Sequence, residues 1–405
     1  MRHLLPIVLL TLHCAAWAQT ATLTEAEAIR RGLARPELSD LDTAQVDIAR
    51  SDVVAAGALP NPTIGYTSDR GRSSNLNNEE TWLLSQSFDL SGRRGLRREA
   101  AELRVESAYS GNRLRHVEWA AEIRQRFHET LFKQEVVRAT ESWAQRFKRV
   151  EGIIEKLAKA GEASGYDRRR LARERQNAEL RLNSAKSDLD RASQRLAALV
   201  GAPGNAPDTV VGELLPVLPQ AMAEAVRDIE RRPDLQVLSR RAEAADLEGK
   251  AAARGWIPDV TLGVGPKRRE TSIGNENSTV MTISLPLPVF DRQQAGQQRA
   301  AAEAMHARGE FNLARARAEG ELHGLYRQLE RLISAAKDYR GSALAETPEL
   351  LRIAEAAYKG GESSLLELLD AYRGAQDTEI NALELDWKAR QARIEYDLLT
   401  GSTTQ

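Results

Sequence analysis

Pro60-Asn61-Pro62-Thr63-Ile64-Gly65 returns, about 200 positions later, as Pro258-Asp259-Val260-Thr261-Leu262-Gly263. In each copy a proline, which disfavours helix at the residue before it, precedes a run where apolar and small residues alternate. A similar offset relates Arg35-Pro36-Glu37-Leu38 to Arg232-Pro233-Asp234-Leu235, and Gly161-Glu162-Ala163-Ser164 to Gly361-Glu362-Ser363-Ser364. It also relates Leu199-Val200-Gly201 to Leu399-Thr400-Gly401. The order is kept and the offset hardly drifts. A period this long is a duplicated domain, not a solenoid repeat.

Each copy reads as an α-β-β-α-α unit whose leading helical part is interrupted at Pro36 or Pro233. The first copy is expected over residues 19–201, with strands at about 61–69 and 80–90 and long helices at about 94–159 and 166–199. A Pro/Gly-rich linker covers 202–219. The second copy is expected over 220–405, with strands at about 259–266 and 278–288 and long helices at about 293–359 and 365–398. Gly201 and Gly401 stand where a C-terminal glycine cap belongs.

The strands alternate with period two. Met281, Ile283, Leu285 and Leu287 alternate with Thr282, Ser284 and Pro286; Val260, Leu262 and Val264 alternate with Thr261, Gly263 and Gly265. In the first copy Ile64 and Tyr66 oppose Gly65 and Thr67, and Trp82, Leu84 and Phe88 oppose Leu83, Ser85 and Ser87. One apolar side and one small or polar side fit the lipid and lumen faces of a barrel strand; a soluble sheet packed on helices is the other reading. Gly71 to Glu79 and Lys267 to Ser278 read as exposed loops between antiparallel strands. Four strands cannot close a membrane barrel, for which about eight is the minimum. Three chains would supply twelve, so a barrel here asks for a trimer.

The long helices carry a heptad seam: Leu171, Ala178, Leu182, Ala185, Leu189, Ala192, Leu196 and Leu199. A helix of about 65 residues, rising roughly 1.5 Å per residue, approaches about 100 Å. An extended structural coiled coil would explain that seam and leave the strand pairs unexplained.

Composition bounds the rest. Residues 1–18 read as a secretory signal: Arg2 and His3, an apolar run Leu4 to Leu12, then Ala16-Trp17-Ala18. The single cysteine, Cys14, falls inside it, and His13 before Cys14 disfavours lipidation there. Cleavage after Ala18 would leave a chain without disulfides, thiolate metal sites or a cysteine nucleophile. Beyond it nothing approaches about 18 apolar residues, the length of a membrane-spanning helix. The 57 basic and 58 acidic residues give a net charge of -1, which speaks against a nucleic-acid partner held by bulk charge. Aromatics at 5% and abundant Ala, Leu, Glu, Arg and Gln belong to long helices. His116, His128, His306 and His323 show no metal-ligand spacing, no phosphate loop or G-x-S-x-G elbow is present, and neither a cofactor nor an enzyme activity is expected.

Tyr358-Lys359-Gly360-Gly361-Glu362-Ser363-Ser364-Leu365-Leu366-Glu367-Leu368-Leu369-Asp370-Ala371 resembles the tip turn of TolC-family outer-membrane efflux proteins. Ala160-Gly161-Glu162-Ala163-Ser164-Gly165-Tyr166-Asp167 is a looser version. Pro60-Asn61-Pro62, Asp89-Leu90-Ser91-Gly92-Arg93-Arg94 and Pro286-Leu287-Pro288-Val289-Phe290-Asp291-Arg292 also look like that family. The resemblance covers essentially the whole chain after the signal and leans toward the heavy-metal branch of CzcC-like and CusC-like channels. It implies a mainly α-helical protein with a small transmembrane β part: a homotrimer whose twelve-stranded barrel in outer-membrane lipid continues into a periplasmic helical barrel. It implies partners too, a periplasmic adaptor (membrane fusion) protein and an inner-membrane pump of the proton-driven resistance-nodulation-division type. The function implied is passive passage of metal cations or small toxic compounds to the exterior of a Gram-negative cell. A periplasmic coiled-coil adaptor or scaffold is the alternative, but it expects one hairpin flanked by many strands.

Residue by residue, Glu367 and Asp370 match the acidic pair that narrows the inner end of family channels, and their spacing places them on one helix face. Three copies would form a carboxylate ring that attracts cations. Asp167 corresponds to Glu367 in the first copy, while Arg170 replaces the second acid and allows an Asp370–Arg170 pairing. Gly161, Glu162, Ser164, Gly361, Glu362 and Ser364 are expected to form the two tip turns on which the adaptor docks; glycine permits the reversal and small residues permit close approach. Arg93, Arg94, Arg97 and Arg98 cluster where the helix dipole disfavours positive charge; contact with interfacial groups or neighbouring acids is one reading, and a solvated helix face is the other.

Overall fold

The computed structural model describes residues 22–71, 78–159, 161, 164–219, 222–227 and 229–401. The signal segment, Cys14 and Glu162 lie outside the described residues. In chain order the elements are β1 (Thr22–Thr24), α1 (Glu25–Leu33), α2 (Pro36–Gly57), β2 (Thr63–Arg70), β3 (Asn78–Phe88), α3 (Arg93–Lys159), α4 (Gly165–Leu199) and β4 (Thr209–Val211). Then come α5 (Met222–Arg227), a 3-10 turn (Ile229–Arg231), α6 (Pro233–Ala253), β5 (Val260–Thr271), β6 (Gly274–Ser284) and α7 (Gln294–Tyr339). A π segment (Arg340–Leu344), α8 (Ala345–Lys359) and α9 (Leu365–Thr400) complete the chain. Pro36 and Pro233 each sit in the first turn of a helix, where the missing N–H costs nothing. Gly201 and Gly401 take φ of 79° and 70°, the left-handed geometry of a C-terminal cap.

The chain forms two compact units, and neither is one sequence repeat. The first comprises the residues up to Leu33, Glu122–Leu218 and Leu329–Ile394; the second Ala34–Ala121, Pro219–Gln328 and the segment from Glu395.

The second unit holds a four-stranded antiparallel sheet in the order β2-β3-β5-β6. Register places the apolar residues on one face: Ile64 opposite Leu84, Tyr66 opposite Trp82, Leu84 opposite Val264, Phe88 opposite Val260 and Val264 opposite Met281. That face is bare, with Ile64 74%, Met281 82% and Ile283 77% exposed. The opposite face carries Thr67, Ser85, Thr261 and Thr282. Gly265 lets β5 approach β3, since a Cβ there would stand 1.8 Å from the Trp82 carbonyl oxygen. The expected loop from Lys267 to Ser278 is instead strand: Lys267 pairs with Ser278, Arg269 with Glu276 and Thr271 with Gly274, closed by a tight turn with Gly274 at φ 141°. Polar side chains on both faces erase the hydrophobic signal without weakening the backbone ladder. β6 stops at Ser284, before Pro286 and Pro288, which cannot donate to a ladder.

Below the sheet, Arg93 Nη2 meets Asp259 Oδ2 at 2.7 Å, and Arg98 Nε meets Glu102 at 3.1 Å. Asp89 accepts the backbone N–H of Arg94 at 2.9 Å, so a carboxylate rather than a basic side chain serves the start of α3. In this unit α2 packs on α3 through Val46, Ala49 and Ala108. Asp42 adds two contacts of 2.5 Å, to Arg115 Nη1 and His116 Nε2.

In the first unit β1 pairs in parallel with β4, and the Gln134 amide completes the ladder by bonding both backbone groups of Val210 (3.1 and 3.2 Å). Helix α1 is fixed to α3 by Glu25, which accepts from Arg124 Nε at 2.6 Å and from His128 at 3.1 Å. The heptad seam of α4 is buried or half-buried at each of its positions. Residues 294–359 are helical without a gap, but not as one uniform α-helix. Pro348 has no N–H for the carbonyl one turn back, and the ladder widens over Arg340–Leu344. Among the described residues no helix is long and apolar enough to cross a membrane.

Candidate constriction and tip turns

Two helical reversals in the first unit carry the expected site. After α8, Gly361 adopts φ 73° and its N–H meets the Tyr358 carbonyl at 3.1 Å, while the Glu362 N–H reaches Ala357 at 2.9 Å. These bonds satisfy carbonyls that the helix end leaves open. After α3, Gly161 repeats the geometry with φ 82° and a 3.1 Å bond to the Ala158 carbonyl. A Cβ at either glycine would meet nothing within 4 Å.

The next helix in each case begins with a capping box. Ser164 Oγ accepts the Asp167 N–H at 3.0 Å, and Asp167 Oδ2 accepts from Ser164 Oγ at 2.7 Å and Ser164 N–H at 3.3 Å. Ser364 Oγ accepts the Glu367 N–H at 3.3 Å, and Glu367 Oε2 accepts from Ser364 N–H at 2.7 Å and Ser364 Oγ at 3.1 Å. Asp167 and Glu367 are thus equivalent, and both have a local task. Asp370 does not: it is exposed and makes no hydrogen bond or ion pair among the described residues. Within the chain Arg170 does not meet it; Arg170 Nη1 reaches the Tyr166 hydroxyl at 3.4 Å.

A dense apolar core holds the turns in place. Leu365, Leu368, Leu369 and Tyr372 of α9 pack with Leu171 of α4, Leu351 of α8, and Trp143, Phe147, Val150 and Ile154 of α3. The i, i+3, i+4 and i+7 spacing on α9 puts these side chains on one stripe, which leaves Glu367 and Asp370 on the other side. Tyr372 donates its hydroxyl to Glu355 Oε1 at 2.7 Å, and Trp143 Nε1 donates to Glu379 Oε2 at 2.7 Å. Burial pushes the Tyr372 phenol upward, reinforced by its bond to the Glu355 carboxylate. Arg373 pairs with Glu174, tying α9 to α4. None of these acid–aromatic and acid–arginine pairs shows in local spacing, because the partners come from different helices. Among the described residues no group of His, Cys, Asp and Glu could hold a metal ion.

The family model for outer membrane efflux proteins matches residues 35–202 and again 227–402. The cobalt-zinc-cadmium resistance protein CzcC of Cupriavidus metallidurans is 26% identical over 360 residues, 88% of this chain and 85% of the relative. The nickel and cobalt resistance protein CnrC of the same organism is 26% identical over 289 residues, 66% of this chain and 64% of the relative. The crystal structure of CusC superposes with a TM-score of 0.78 at 17% identity, covering 96% of this chain and 95% of that one. The outer membrane protein VceC of Vibrio cholerae superposes with a TM-score of 0.75 at 18% identity, covering 93% and 96%. This chain belongs to the outer membrane efflux protein family, and it is an outer-membrane efflux channel.

Proposed function

We propose that three copies of this chain join edge to edge into one duct that carries divalent metal cations out of the cell. The observation that carries this reading is the sheet: apolar on one face, hydroxyl-lined on the other, with β2 and β6 as unpaired edges. In lipid every backbone donor and acceptor must be paired. The strands alternate in direction, so β6 of one copy fits β2 of the next in antiparallel pairing. Four strands from each of three copies exceed the minimum of about eight for a closed barrel. The long helices of both repeats then continue the passage into the periplasm. The adaptor reading of the sequence is set aside by the family assignment.

The metal class is supported by the names of the relatives, one a cobalt-zinc-cadmium and one a nickel and cobalt resistance protein. The driving energy comes from a proton-driven inner-membrane pump of the resistance-nodulation-division type, and a periplasmic adaptor joins pump to duct at the tip turns. Gly161, Glu162, Ser164, Gly361, Glu362 and Ser364 form the docking tips; Asp370 and Arg170 line the narrow inner end, with Glu367 and Asp167 holding the helix starts beside them. Co-expression with the adaptor and pump in a metal-sensitive host tests the reading. Tolerance to cobalt, zinc or cadmium should rise, and the chain should extract from the outer membrane as a trimer. A monomer in the soluble periplasmic fraction contradicts the duct; a trimer that changes tolerance only to organic toxins contradicts the metal assignment.

A further inference from the structure

One register row crosses the sheet with a charged side chain on every strand, all on the hydroxyl-lined face. Asp69 of β2 stands opposite Glu79 of β3, Glu79 opposite Arg269 of β5, and Arg269 opposite Glu276 of β6. Lys267, one step closer to the helices on the same face, reaches back to this row. Glu79 is held at both carboxylate oxygens from β5, with Lys267 Nζ 2.5 Å from Oε2 and Arg269 Nε 2.5 Å from Oε1. Asp69 and Glu276, on the two edge strands, are exposed and make no ion pair among the described residues. From this row toward the helices, apart from Lys267, the described strand residues of the inward face carry no charge; Thr67, Ser85, Thr261 and Thr282 are typical. Asp69, Glu79 and Glu276 outweigh Lys267 and Arg269, and the surplus negative charge sits at the sheet edges, beside the seams between copies.

We infer that this row is a charge filter at the outer mouth of the duct, with Asp69 and Glu276 as the residues that make it favour cations over anions. The inference rests on the trimeric-duct reading, which turns the hydroxyl-lined face into the lumen. Rings of like charge set ion preference in water-filled pores, and low-dielectric walls focus their field. Reach is set by salt: screening acts over about 10 Å at 0.1 M, about 30 Å at 0.01 M and about 3 Å at 1 M. The filter therefore acts most strongly when the surrounding ionic strength is low.

The test is ion selectivity of the purified trimer in planar bilayers, read as the reversal potential in a KCl gradient. At about 0.01 M salt the native protein should prefer potassium, and Asp69→Asn with Glu276→Gln should lower the cation-to-anion permeability ratio at least about twofold. Conductance at about 1 M should be unchanged in that variant, because only screened charge has been removed. Lys267→Gln should move the ratio the other way, and it keeps the test decisive if the edge variants do not insert. Unchanged ratios at low salt in both variants overturn the filter. Native protein that forms no conducting pore overturns the duct itself, which is a separate outcome.

Discussion

Replacing Gly361 by a bulky residue separates a turn that merely reverses the chain from one that meets another protein. Gly361 holds φ 73°, and a side chain added there points into open space, with no atom within 4 Å of its Cβ. The folding cost of Gly361→Tyr is then the left-handed backbone alone, about 1–2 kcal/mol. Gly361→Asn has less strain, since asparagine tolerates this region. Beneath the turn Leu365, Leu368 and Leu369 are at most 5% exposed, each contributing about 1.5–3 kcal/mol by burial. The hairpin end therefore outlasts the strain, and both variants should insert as trimers in native amounts. If an adaptor hairpin packs closely against this turn, Gly361→Tyr should abolish metal tolerance and cross-linking to the adaptor, while Gly361→Asn keeps most of both. Trimer abundance on native gels is measured in the same cells. Native-level export by a fully trimeric Gly361→Tyr protein would refute the docking assignment.

Asp370→Asn should raise single-channel conductance and weaken cation preference at the inner end, whereas Glu367→Ala should mainly loosen the start of α9, by about 1 kcal/mol; equal conductance effects from the two would show that the cap does not occupy Glu367. Arg340→Ala leaves Asp386, whose side chain is 0% exposed, without its ion pair; about 3 kcal/mol of local stability should go, read as faster amide exchange over the π segment, and unchanged exchange would place the support elsewhere. Lowering pH should release α1 in two stages. Burial, opposed by the bond to Glu25, holds His128 below its ordinary value of 6.5, so its contribution is complete above about 6.5 and fades as pH falls below that. Burial also opposes ionisation of Glu25, but the bond from His128 and the positive charge of Arg124 outweigh it and hold its carboxyl at about 2; that contribution fades between about 4.5 and about 2. Protection factors of the α1 amides that stay flat from about pH 7.5 to about 2 would refute the coupling.

Much of the fold was legible because its signals are periodic. The alternation of Ile64 and Tyr66, of Trp82 and Leu84, and of Met281 and Ile283 sets which face is apolar, and register aligns those residues across the sheet. The seam from Leu171 to Leu199 faces inward as its heptads require. Illegible were the places where no face is buried. Lys267 to Ser278 looks like loop because both faces are solvated, yet Arg269 and Lys267 reach the same Glu79 across the sheet. The widening at Arg340–Leu344 has a sequence cause in Pro348, but a proline near a helix end is compatible with a kink, a stop or an ordinary first turn. Only the opposing helix, which supplies Asp386 to Arg340, distinguishes them.

The candidate site shows the same division and sharpens one assignment. Glu367 and Asp370 look alike in sequence, three apart on one helix, and nothing local separates them. The duplication does. Asp167 and Glu367 occupy equivalent positions, and each closes a capping box with the serine three residues before it. A role common to both copies, fully explained by the helix start, leaves those acids little freedom to turn toward a lumen. Arg170 and Asp370 are also equivalent in position, yet they differ in sign, and neither is used by a cap. The constraint shared by the repeats is therefore helix initiation, and what varies between them is the charge one turn further on. Any gate built from this pair of hairpins depends on Asp370 more than on Glu367, and on an ion-pair partner that Asp370 does not find among the described residues of one chain.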